Sequence, residues 1–68
     1  MHDETFHQSI RKLLKTVGVQ SQQRIEEAVA QALAEGRLAG DESLPARVTL
    51  EVAGLELKVE FQGDIELE

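Results

Sequence analysis

The chain has 68 residues, no cysteine and a formal net charge of −6. A chain this short forms one small domain, and the lack of cysteine excludes both a disulfide framework and a thiolate metal site. Asp3 and Glu4 are acidic, whereas the amino-terminal region of a secretory signal is basic. No apolar run is long enough to cross a bilayer. We therefore expect a cytoplasmic protein with no membrane segment.

The first segment has the apolar spacing of an amphipathic helix. Asp3 suits an N-cap position, basic residues follow towards the carboxyl end, and Gly18 suits the left-handed conformation that closes a helix. The pattern predicts a first helix over about residues 4–16. Its apolar face consists of Phe6, Ile10, Leu13, Leu14 and Val17.

A short connector, residues 19–21, separates this helix from a second apolar pattern. Ser21 suits the N-cap of a second helix, and Gly36 suits its end. We therefore predict a second helix over about residues 22–35, antiparallel to the first or crossing it steeply. Its apolar residues are Ile25, Ala28, Val29, Ala32 and Leu33.

Residues 36–45 follow neither the helical nor the strand period and contain the only proline. We interpret them as a loop between a helix layer and a sheet, in preference to a recognition surface.

After this loop the apolar residues alternate, which predicts strands over about residues 46–52 and 55–61 around a tight turn at Ala53 and Gly54. In that register Val52 lies opposite Leu55, and Glu51 opposite Glu56 is a repulsive pair.

The last residues allow two interpretations. A turn at Gly63 and Asp64 gives a third strand over residues 65–68, whereas the shared parity of Phe61, Ile65 and Leu67 allows the second strand to run on. We favour the turn, because an unpaired tail exposes an apolar edge.

These elements predict an α+β fold: two helices packed on one face of an antiparallel hairpin or three-stranded meander, forming a single domain over residues 1–68. Free sheet edges favour a homodimer that forms by strand-edge pairing, and the alternative is a monomer. The predicted core consists of Phe6, Ile10, Leu13, Leu14, Val17, Ile25, Val29, Leu33, Val48, Leu50, Val52, Leu55, Leu57, Val59 and Phe61.

No residue pattern indicates catalysis, so we assign no catalytic, cofactor-binding or metal-binding residue and expect no enzyme and no cofactor. Ser9, Ser21 and Ser43 lie in no nucleophile motif with a histidine, and strand carboxylates such as Glu51 and Glu56 are expected to face water.

A metal site is a weaker hypothesis, based on His2, Asp3 and His7 near the amino terminus. The two histidines are five residues apart, a spacing that places them on different faces of a helix. Solvated histidines are therefore the preferred interpretation.

The two predicted helices and the short connector between them resemble a helix-turn-helix motif. Gln22, Gln23 and Arg24 then lie at the start of its second helix. Two glutamates follow directly, and residues 46–68 carry six acidic side chains against two basic ones, a charge that repels a phosphate backbone. Nucleic-acid binding is thus disfavoured.

Turn, cap and charge motifs along nearly the whole chain resemble those of a family of short bacterial proteins described only as a domain of unknown function. The resemblance implies a stand-alone bacterial protein and assigns no activity, cofactor or site residue. The motifs are residues 3–6, 10–15, 17–19, 21–22, 25–26, 36–42, 44–46 and 63–68.

The sequence therefore favours a non-enzymatic protein-interaction or adaptor module that acts through a sheet edge or a helix face and whose protein partner is unknown. A nucleic-acid-associated regulator and a weak metal-binding protein are the alternatives.

Overall fold

The computed structural model describes residues 1–68 and contains one helix followed by one β-hairpin. The predicted α+β class is confirmed, whereas the predicted number of helices is wrong. The elements are helix α1 (Asp3–Ala34), strand β1 (Ser43–Val52), a 3-10 turn (Ala53–Leu55) and strand β2 (Leu57–Glu66).

The chain divides into two compact units, Met1–Arg37 and Leu38–Glu68. The first contains α1, and the second contains the antiparallel pair of β1 and β2. That all 68 residues form a single domain stays a prediction.

Helix α1 runs without interruption through the connector predicted at residues 19–21, so the two predicted helices are one helix of 32 residues. A glycine inside a helix costs about 1 kcal/mol relative to alanine. A break at Gly18 would exchange the helical hydrogen bonds that span it for caps or water, and the chain keeps the uninterrupted helix instead. Ser21 is therefore an interior helical residue and caps nothing.

The two ends of α1 are formed differently. His2, not Asp3, is the N-cap residue, and no side chain caps the first N–H groups. At the other end Gly36 has a φ of 76°, and its N–H donates to the Leu33 carbonyl while the Arg37 N–H donates to that of Ala32. This is a Schellman motif, which confirms that Gly36 ends the helix.

The hairpin register differs by two residues from the predicted one. Val52 lies opposite Leu57, and Val48 lies opposite Phe61. A shift of two residues keeps every side chain on its predicted face, because strand side chains alternate with a period of two.

The turn accounts for the shift, because it contains four residues, Ala53 to Glu56, where two were predicted. Glu56 adopts the left-handed conformation, with a φ of 51°. In this register Lys58 faces Glu51, with Nζ 3.8 Å from Oε1. The longer turn thereby replaces the predicted Glu51–Glu56 repulsion with an attractive pair.

The predicted third strand at residues 65–68 is wrong. Strand β2 continues past Gly63, and Ile65 pairs with Leu44 at the start of β1. The Leu67 N–H also donates to the Glu42 carbonyl. The predicted loop is correspondingly shorter at its end, because β1 begins at Ser43 and not at Ala46.

The predicted core is wrong for a single chain. Among those residues only Val29 and Leu50 are half-buried, and all the others are exposed. The one buried residue of the chain is Ala32, with 7% of its surface accessible.

We predict that Gly18→Ala raises the helix content of the chain and stabilises α1 by about 1 kcal/mol. A Cβ at residue 18 meets no atom within 4 Å, so the substitution introduces no clash within the chain. Far-ultraviolet circular dichroism of the dilute protein measures the effect. Gln22→Ala is the control, with an expected gain several times smaller, and loss of helix in Gly18→Ala contradicts a continuous α1.

We predict that Glu56→Asn stabilises the hairpin by about 1 kcal/mol, because asparagine tolerates the left-handed conformation better than glutamate does. Proton exchange of the β1 and β2 amides, measured by NMR, reports this stability. Glu60→Asn, at a strand position, is the matched control and is expected to stabilise nothing. Equal protection in the two variants contradicts the left-handed turn at residue 56.

Candidate interaction surface

A line of residues that are apolar except at Ser21 runs along α1, and we call this line the helix stripe. Its members recur in steps of 4, 4, 3, 4, 4, 3 and 4 residues. The mean step of about 3.7 residues is close to one helical turn, so these residues share one side of α1 from end to end. The members of the helix stripe are Phe6, Ile10, Leu14, Val17, Ser21, Ile25, Ala28 and Ala32.

Size varies along the helix stripe. Its amino-terminal half consists of large side chains, and its carboxyl-terminal half contains Ala28 and Ala32. The large members are exposed: Phe6 has 45% and Leu14 has 51% of its surface accessible. Apolar surface in water is unfavourable by about 25 cal/mol per Å², so an uncovered line of this length favours association.

The hairpin has one apolar and one polar face. Val48 and Phe61, opposite each other on the apolar face, are 54% and 59% exposed. Leu44, Leu50 and Ile65 on that face are half-buried. On the polar face the Ser43 hydroxyl donates to the Glu66 carboxylate over 3.1 Å.

Both strands are edge strands, since the sheet has only two. Pro45 lies within β1 and offers no N–H to an added strand. Proline and charged side chains on an edge strand oppose pairing with another strand. The helix stripe has no comparable obstacle.

The segment between α1 and β1 is organised by two carboxylates. The Ala39 and Gly40 N–H groups donate to Glu42 over 2.8 and 2.9 Å, and these bonds hold the pKa of the Glu42 carboxyl below its usual value of 4.5. The pKa of the Glu35 carboxyl is lowered in the same way, mainly by a hydrogen bond from Gln31 and to a smaller extent by one from Arg37. Both bond sets favour the ionised carboxylate.

The residues considered for chemistry are not assembled into a site. His2, Asp3 and His7 are not brought into a group of three that could hold a metal ion. The Ser9 hydroxyl donates to the Phe6 carbonyl, so it serves the local backbone. No helix of the structure combines the length and apolar character that a membrane crossing requires.

The helix-turn-helix is wrong, because residues 17–21 are helical and no turn presents a second helix. Gln22, Gln23 and Arg24 therefore lie near the middle of α1 and not at a helix start. Nucleic-acid binding loses the geometry on which that alternative was based.

Comparison with known families agrees with the resemblance inferred from the motifs. A family model described as a family of unknown function, DUF6494, matches residues 1–68. The chain belongs to this family. No curated protein and no solved structure matches the chain.

Most members of the helix stripe are predictable from their helical spacing, although the prediction divides them between two helices. The missed signal is the spacing of Val17, Ser21 and Ile25, which continues the helical period across the predicted connector. Ser21 suits an N-cap after the short connector at residues 19–21. Its place in the period shows that it belongs to the helix.

We predict that the Ala39 and Gly40 amide proton shifts titrate with a midpoint below pH 4.5, following the Glu42 carboxylate. A carboxyl group whose pKa is lower in the folded chain than in the unfolded chain stabilises the folded segment at pH values above its unfolded pKa. This stabilisation is lost as the pH falls through the folded pKa. Two-dimensional NMR over the acid range measures both shifts.

Glu42→Gln is expected to abolish that titration, because the amide does not ionise. Asp41→Asn removes the neighbouring carboxylate and is expected to leave the titration in place. If the two amide shifts titrate unchanged in Glu42→Gln, the assigned hydrogen bonds are absent.

Proposed function

We propose that the chain is a non-enzymatic protein-interaction module that binds a protein through the helix stripe. The observation that supports this most is the exposure of nearly every large apolar side chain of α1. Exposed apolar residues at helical spacing are typical of helices that dock on a protein partner.

The helix stripe is a better candidate than the sheet edge or the apolar hairpin face. The stripe extends from Phe6 to Ala32, about 39 Å at 1.5 Å per residue. Each strand has ten residues, and the hairpin's apolar face contains a gap where Ala46 lies opposite Gly63. A longer apolar surface offers a partner more area to bury.

The charge of the chain also favours a protein partner over a nucleic acid. The net charge is −6, and residues 46–68 carry four more acidic than basic side chains. Affinity for nucleic acids depends on neutralising phosphates with lysine and arginine. A protein surface that presents a complementary apolar groove has no such requirement.

The test is site-specific photocrosslinking of the full-length chain in cells that produce it. A photoreactive phenylalanine analogue replaces Leu14, a member of the helix stripe, or Gln8, a polar residue outside it. We expect a covalent protein adduct from position 14 and at least about tenfold less from position 8, because specific interfaces exclude residues outside their contact area.

The adduct is also expected to disappear when Ile10→Asp is added, because a charge in an apolar interface is strongly unfavourable. Gln8→Asp introduces the same charge outside the stripe and is expected to leave the adduct unchanged. No adduct from position 14, or equal adducts from both positions, contradicts binding through the helix stripe.

A further inference from the structure

The helix stripe leaves large apolar side chains in contact with water. Its members from Phe6 to Ile25, other than Ser21, each have between 39% and 51% of their surface accessible. A second copy of the chain carries the same stripe, so packing one stripe against the other covers both apolar surfaces at once.

When the helix stripe is placed antiparallel to a second copy of itself, its large side chains face small ones near both ends. A two-fold axis at the level of Val19 places residues that are equally distant from it opposite each other. Large side chains then lie opposite smaller ones at the ends of the stripe, which is how packed layers interdigitate. The opposed pairs with both members in the helix stripe are Phe6 with Ala32, Ile10 with Ala28, and Val17 with Ser21.

The middle of such a pair of helices is narrow. Gly18 and Ser21 lie next to the proposed axis, where two crossing helices come closest. A Cβ at Gly18 meets nothing within the chain, so packing inside one chain gives no reason for a glycine inside the helix. Small residues at a crossing point allow two helix backbones to approach closely.

Charge segregation favours the same orientation. Residues 5–18 contain three basic side chains and no acidic one, whereas residues 25–35 contain three acidic side chains and no basic one. Antiparallel helices place the two regions near each other, and parallel helices place like charges together. Asp3 and Glu35 are a like-charged pair in this arrangement, but they lie at the solvated helix ends, where salt screens them.

We propose that the occupant of the helix stripe is the helix stripe of a second copy of this chain, so that two α1 helices pack antiparallel about a two-fold axis near Val19. This inference rests on the proposed function, since it names the partner of the same surface. It also replaces strand-edge pairing as the route to a homodimer.

Sedimentation equilibrium of the full-length chain at micromolar concentrations is the first test. We expect a mass of twice 7.5 kDa. Ile10→Asp is expected to weaken the dimer at least about a hundredfold, because it buries a charge at the interface. Gln8→Asp carries the same charge outside the stripe and is expected to change the dimer by less than about threefold.

Distances between spin labels test the orientation without disturbing the stripe. The chain has no cysteine, so Ser9→Cys and Gln20→Cys each provide one label per chain. At 1.5 Å per residue, antiparallel helices separate the two labels at position 9 by about 30 Å along the axis and those at position 20 by about 3 Å. Parallel helices give no axial separation at either position.

A mass of one chain at all these concentrations overturns the inference, and so does a dimer in which the labels at position 9 are as close as those at position 20. The same outcomes leave the proposed function standing if position 14 still crosslinks to a different protein. If position 14 forms no adduct at all, the proposed function fails together with the inference.

Discussion

The uninterrupted course of α1 through Gly18 and Ser21 is the constraint on which the other features depend. Because the helix does not break, Phe6 and Ala32 lie on one continuous helix and cannot meet each other across a turn. Two antiparallel helices would have covered each other's apolar residues. One continuous helix cannot cover its own helix stripe.

Much of the local structure was predictable from the sequence. The Schellman end at Gly36, the two faces of the hairpin and the α+β class all follow from short-range rules: a left-handed glycine and the alternation of strand residues. These features depend on a few neighbouring residues. Sequence patterns specify such features well.

The errors share one physical origin, which is competition between near-equal alternatives. Gly18 suits a helix end and is tolerated within a helix at a cost of about 1 kcal/mol, so the cost of breaking the hydrogen-bond ladder decides. Glu56 is an unfavourable left-handed residue, yet a longer turn places Lys58 and not Glu56 opposite Glu51. Each outcome depends on the total free energy of the whole helix or hairpin, and a local sequence signal reports only one contribution to that total.

Neither unit contains the means to be very stable alone. An isolated two-stranded hairpin is marginally stable in water, and most helical stability in proteins comes from packing of the apolar face. With Ala32 as the one buried residue, little of the stability of this chain comes from a core within it. Covering the helix stripe therefore supplies folding free energy as well as binding free energy, and any partner that covers it stabilises the fold by mass action. In the proposed association, the exposed apolar residues of α1 become part of a core that two chains share, and association then contributes to folding.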